Sequence, residues 1–332
     1  MSYAGSNVTG IDGLIAVDKV GNRIRFYDPQ SLREIGGFAA PEPCVHELAI
    51  TPDHKTAFVP LYGDGIYGAN RNPNNQILAI DLVRRELADI IPLGEFVAPH
   101  GMVAGRDGKL WVVCDIPDKL LLIDPQKRAV EAAYDCPSHG PHVLTLTPGG
   151  TRIYVSCKEG PVAVFDIALR KFVATIPVGV PGVTKGNGSG SEGVTPTPDG
   201  RHLLIIDNDR NDLHVIDIAQ GREIDHVALA GSALSNIKRS RLAKLMFSPD
   251  GHHLIVTGYA GGMAWHLDPN DYRNQTQIPV AKGPQGMAFA PDGRTALVSS
   301  HDSGLLTQID LAERRATACF DGGNGIEVLA YY

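Results

Sequence analysis

Between His142 and Pro177 short apolar runs alternate with tight polar turns. Residues 143–147 are followed by the turn Pro148-Gly149-Gly150, then by apolar runs at 152–156 and 162–166 and a last run at 171–177. β-Branched runs bounded by Gly, Asp and Asn predict antiparallel strands rather than helix. The phrase recurs along the chain, as Pro99-His100-Gly101 before Arg106-Asp107-Gly108, Glu192-Gly193 before Pro198-Asp199-Gly200, and Gln285-Gly286 before Pro291-Asp292-Gly293. Counting back six residues from the position before the turn gives one anchor per repeat: His46, His100, His142, Glu192, Ala243 and Gln285, with Glu327 in the last copy. The anchors are spaced by 54, 42, 50, 51, 42 and 42 residues. A period near 42 matches a four-stranded propeller blade of roughly 40–45 residues. Seven anchors predict an all-β, seven-bladed propeller of antiparallel blades over residues 1–332.

The two ends predict how the ring closes. The N-terminal segment has a second strand at 14–17, a third at 24–28 and a fourth, but no full first strand. Residues 325–332 supply that piece, so one blade is expected to draw strands from both ends and leave no open edge. The third strand ends in an Asp in most units, at Asp28, Asp81, Asp124, Asp166, Asp217 and Asp310. That Asp is expected to accept backbone N–H groups of the following turn.

The repeat pattern resembles the YVTN-type seven-bladed propellers over essentially the whole chain. The unit His100-Gly101-Met102 … Asp107-Gly108-Lys109-Leu110-Trp111 resembles the repeat of the streptogramin (virginiamycin B) lyases. These resemblances imply the fold more strongly than an activity, because propellers host lactonases, lyases, oxidases and binding modules.

Composition narrows the picture a little. Hydrophobic residues at 43% allow a substantial core, and a formal charge of −7 gives no basic face for nucleic acid. The first residues lack a signal-peptide pattern, and no run is long enough to span a membrane. Five cysteines without a CxxC pair argue against a disulfide framework. A cytoplasmic protein is expected.

Function is expected where the copies differ. First strands line a propeller's channel, so the anchors gather around the axis at one mouth. Twelve histidines spread at random would place about 0.25 of one in seven chosen positions. Three are found on consecutive blades, followed by a carboxylate. His46, His100, His142 and Glu192 are therefore the expected ligands of a divalent metal ion (Fe, Mn, Zn, Cu or Mg). Glu327 and His301 are candidates for moving protons, or Glu327 for orienting an imidazole. The plain alternative is that these histidines cap the channel by bonding to neighbouring backbone. Strand alternation puts the anchors on the same face as Leu48, Met102, Leu144 and Val194.

Loops after each second strand should rise at the same mouth, bringing Asp18 and Lys19, Tyr62 and Asp64, Cys114 and Asp115, Cys157 and Lys158, Asp207 and Asn208, Tyr259, and His301 with Asp302. Cys114 and Cys157 hold equivalent places there and are read as packing. Insertions at 180–191 and 231–241 belong to the same mouth and are expected as lids or as solvated loops, and a third insertion at 62–76, carrying Arg71, lies on the same side. Lys185, Lys238, Arg239 and Arg241 in the first two, with Tyr62 and Gln285, would bind a small anionic, carboxylate-bearing substrate. The leading expectation is a metal-dependent enzyme of lyase or hydrolase type, using the ion as Lewis acid. A second is an iron, manganese or copper oxygenase, since three His and one Glu resembles the metal set of cupin oxygenases. A third is a binding scaffold without catalysis.

Overall fold

The computed structural model describes residues 11–178, 190–207, 212–229 and 242–332. Seven four-stranded antiparallel sheets form the blades of a closed propeller. Numbered in ring order, blade 1 pairs Ile326–Tyr331 with Leu14–Asp18, Arg23–Tyr27 and Glu34–Ala39, so strands from both ends of the sequence share it. The innermost strands of blades 2 to 7 are Ala49–Ile50, Val97–Ala104, His139–Leu146, Ser191–Pro196, Leu242–Phe247 and Pro284–Phe289.

Seven apolar clusters lie between consecutive blades and together form the core. Second strands such as Leu14–Asp18 and Leu254–Gly258 are buried at every position because a neighbouring blade covers each face. Outer strands such as Ala129–Asp135 alternate between exposed and half-buried. The continuous and the alternating apolar runs of the sequence are thus the inside and outside of each blade.

The repeated turn is a local hydrogen-bonded device. Thr197 Oγ1 donates to Asp199 Oδ1 at 2.6 Å and accepts from His202 N at 3.0 Å, while Gly200 takes φ = 70°, where only glycine is unstrained. The aspartates ending the third strands accept turn N–H groups, as Asp81 does from Val83 and Arg84 at 2.9 and 2.8 Å.

The innermost strands approach closely at the residue after the anchor. A Cβ on Gly101 would fall on the carbonyl oxygen of His142, and one on Gly286 would lie 2.6 Å from that of Glu327. Backbone cannot retreat as a side-chain end can. Gly101→Ala should therefore cost about 1–3 kcal/mol of stability, measurable by chemical denaturation, whereas alanine at the open Gly108 turn costs only its φ strain.

Candidate functional site

Six of the innermost strands carry a β-bulge at the anchor, whereas in blade 2 His46 and Glu47 lie between the isolated bridge of Val45 to Leu61 and the strand Ala49–Ile50. Register shifts fall between Pro99 and Met102, Pro141 and Leu144, Ser191 and Val194, Leu242 and Leu245, and Pro284 and Met287. A bulge sets two consecutive residues against one partner, so the residue after the anchor no longer has to point away from its neighbour. Hydroxyls of the second strands satisfy backbone groups freed there: Ser156 Oγ accepts from Val143 N at 3.1 Å, and Ser299 Oγ from Gly286 N at 3.0 Å.

The simple alternation expected for these strands is therefore corrected. His46 and Glu47 both line one chamber, as do Ala243 and Lys244. The chamber occupies about 380 Å³ at the mouth where the anchors meet. Beyond it the inner strands continue in buried Leu48, Leu144, Val194, Leu245 and Val328.

His46, His100 and His142 form a contiguous row, with ring centroids 4.2 and 3.8 Å apart. His100 Nδ1 donates to the carbonyl of His142 at 2.9 Å, which makes Nε2 its bare nitrogen. His46 Nε2 accepts from Lys19 Nζ at 2.7 Å. Its Nδ1 is buried without a hydrogen bond, 3.9 Å from Glu327 Oε1 and 4.0 Å from Glu47 Oε1. Burial, reinforced by Lys19, holds His46 well below the ordinary imidazole range. Burial does the same to His100, and it lowers His142, helped by Lys158 against the pull of Glu192. The row is neutral.

Charged groups around it come in pairs. Lys244 Nζ reaches both oxygens of Glu47, at 2.8 and 2.7 Å, across the channel from blade 6 to blade 2. Lys158 bonds Glu192, whose other oxygen lies 3.0 Å from His142 Nε2. Burial opposes charge on Glu192, but Lys158 and His142 outweigh it and hold the carboxyl well below the usual carboxylate range. Lys19 lies 3.7 Å from Glu327. Among the described residues the lining thus sets three lysines against three glutamates.

His46, Glu47 and His100 form a compact set whose candidate ligand atoms all lie within 4.8 Å of one another, and this buried set could hold a metal ion. It differs from the expected four. His142 touches it through His100, while Glu192 is turned to Lys158 and His142. Glu327 and His301 stand on its other side, 3.9 Å apart. Tyr62 and Gln285 line the chamber, and Tyr62 presents its ring edge-on to His46 and His100. Lys185, Lys238, Arg239 and Arg241 lie outside the described residues. Lys19, Lys158 and Lys244 are instead the cations found at the chamber. Sequence reasoning passed over Glu47 and Lys244, although the position after the anchor is glycine in three copies and charged in these two. It also passed over Tyr67, whose ring packs on Gly140 and forms part of the wall.

Tyr62 is anchored by donating its hydroxyl to Asp115, and burial pushes the Asp115 carboxyl up to about 7. The unfolded chain releases that proton near pH 4, while the folded chain keeps it to about 7. This group's contribution to stability therefore falls as pH rises through that window. Asp115→Asn, which keeps an acceptor for Tyr62, should exceed the parent in stability by about 2–4 kcal/mol at pH 8 and match it near pH 3.5. Denaturant midpoints at the two pH values check this.

No family model and no curated protein matches the chain, so the likeness to YVTN-type propellers and streptogramin lyases rests on the sequence repeats. Solved structures do match. A functionally unknown protein from Desulfotomaculum acetoxidans is 14% identical, covering 96% of this chain and 98% of that one with a TM-score of 0.76. The periplasmic gluconolactonase PpgL of Pseudomonas aeruginosa is 17% identical, covering 97% and 99% with a TM-score of 0.73. Kuenenia stuttgartiensis hydrazine synthase is 17% identical, covering 88% and 90% with a TM-score of 0.70. At these identities the likeness shows the fold.

Proposed function

We propose that the chamber is the active site of a metal-dependent hydrolase acting on a small, carboxylate-bearing lactone or related ester. The observation that carries this reading is the buried, unbonded Nδ1 of His46, facing two carboxylates beside a second imidazole. An unsatisfied polar atom in a buried site is costly unless something completes it. Two imidazoles and a carboxylate are a ligand set of catalytic zinc and related ions, and leave coordination positions open.

His46, Glu47 and His100 would hold the ion, which when bound supplies Lewis acidity toward a carbonyl oxygen. The protein's own groups supply the rest. Lys19, Lys158 and Lys244 attract the substrate carboxylate, and the buried apolar residues beyond the chamber keep the reacting end away from bulk water. Glu327, 3.9 Å from both His46 Nδ1 and His301 Nε2, is placed to take a proton from an attacking water. That the gluconolactonase PpgL is built on a similar propeller favours hydrolysis over elimination as the first reaction to test.

A panel of aldonolactones and carboxylated lactones should be opened by protein reconstituted with Zn(II), Mn(II) or Fe(II). His100→Ala should lower kcat/KM by more than the roughly 10–100-fold expected of a merely supporting residue. Equal activity in His46→Ala, His100→Ala and the parent would overturn the assignment.

A further inference from the structure

We propose that this site takes metal and substrate as a charge-matched pair, the substrate being a small dianion such as a dicarboxylate. The proposal rests on the metal reading of the chamber given above and adds the charge of what it binds.

In the described lining three lysines already balance three glutamates, and His46, which accepts from Lys19 at Nε2, adds no positive charge. Among the described residues no carboxylate in the lining is left over to compensate an incoming divalent ion. His46, Glu47, His100 and Glu327 are all buried, and a buried charge without a partner is strongly unfavourable. The compensating charge must come from the ligand.

The same geometry says where that ligand is held. Lys19 is bonded to His46 Nε2, and an ion taking His46 Nδ1 needs the tautomer with the proton on Nε2, which cannot accept from an ammonium. Lys244 bridges both oxygens of Glu47, one of which becomes a metal ligand. Loading the ion therefore releases N–H donors on two lysines, one in blade 1 and one in blade 6. Two added positive charges and two released ammonium groups match two anionic groups on one small molecule. Lys158 stays with Glu192 and His142 and takes no part in this exchange.

Coupling of this kind is reciprocal and typically spans about 5–150-fold. The test is calorimetric titration of Mn(II) into the EDTA-treated full chain, alone and with malonate, acetate or 1,3-propanediol, corrected for the anion's own affinity for the metal. Malonate should tighten Mn(II) binding about tenfold or more, acetate less, and the diol not at all. The Lys244→Met variant should lose most of malonate's advantage over acetate. Mn(II) binding that is stoichiometric but indifferent to malonate overturns the pairing and leaves the metal reading standing. Failure to bind Mn(II) with or without malonate overturns both. If Lys244→Met does not fold, the comparison of the three additives on the parent chain decides alone.

Discussion

Deleting residues 325–332 should abolish cooperative folding. The strand Ile326–Tyr331 is buried at every position and is the innermost strand of blade 1, hydrogen-bonded along Leu14–Asp18. Ile326, Val328, Leu329, Tyr331 and Tyr332 are all buried, and at about 2 kcal/mol for each large apolar side chain their loss removes roughly 10 kcal/mol. That approaches the whole 5–15 kcal/mol stability of a typical folded protein. The damage extends beyond the strand. Ile15, Val17 and Phe26 lose cover on the side of blade 2, as do Leu14 and Ala16 on the side of blade 7. The ring also gains an open inner edge able to pair with other chains. Loss of the sharp thermal transition, with aggregation, is the expected result. A cooperative melt within about 5 °C of the parent would contradict the closure described here.

Lys244→Met should be the most damaging single substitution in the chamber, costing about 3–5 kcal/mol in metal-free protein. It leaves the Glu47 carboxylate buried, with no other cation at hydrogen-bond distance among the described residues. Glu47→Gln should cost less, because Lys244 sits nearer the opening and its flexible stem can carry the ammonium to water. The double variant Glu47→Gln/Lys244→Met should regain much of what Lys244→Met loses, since it removes the orphaned charge as well as the pair. A coupling of about 0.5–3 kcal/mol from the four denaturation curves is expected. Additive losses would mean that the two groups do not compensate each other across the channel.

How legible the molecule was in its sequence follows from where period and alternation hold. The 42-residue period survives every insertion, so blade number, ring closure and the column containing His46, His100, His142, Glu192 and Glu327 could all be read from spacing. The loops after the second strands follow the same period, which is why Lys19, Tyr62, Lys158, Tyr259 and His301 were expected at the chamber where they are found, although Asp18, Asp64, Asp115, Asp207 and Asp302, expected with them, do not line it. Alternation fails at the bulge. A residue-by-residue pattern assigns Glu47 and Lys244 to the far face, yet Lys244 at its bulge and Glu47 in the segment just before Ala49–Ile50 meet in the channel as an ion pair between residues 197 apart in sequence. Tyr67 belongs to an aperiodic insertion ordered by Asp64, which accepts from Arg71 N at 3.1 Å and Asn72 N at 3.0 Å. The insertion was expected on this side of the ring, but no spacing rule says which of its side chains reaches the chamber.

His46, Glu47 and His100 are proposed as the metal site. Stoichiometric metal analysis of the full chain tests it most directly, after EDTA treatment, reloading with Zn(II), Mn(II) or Fe(II) and removal of free ion. One ion per chain is expected, lost in His46→Ala and in His100→Ala under the same washing. Protein that retains no ion after reloading, or ion retention unchanged by both substitutions, would contradict it.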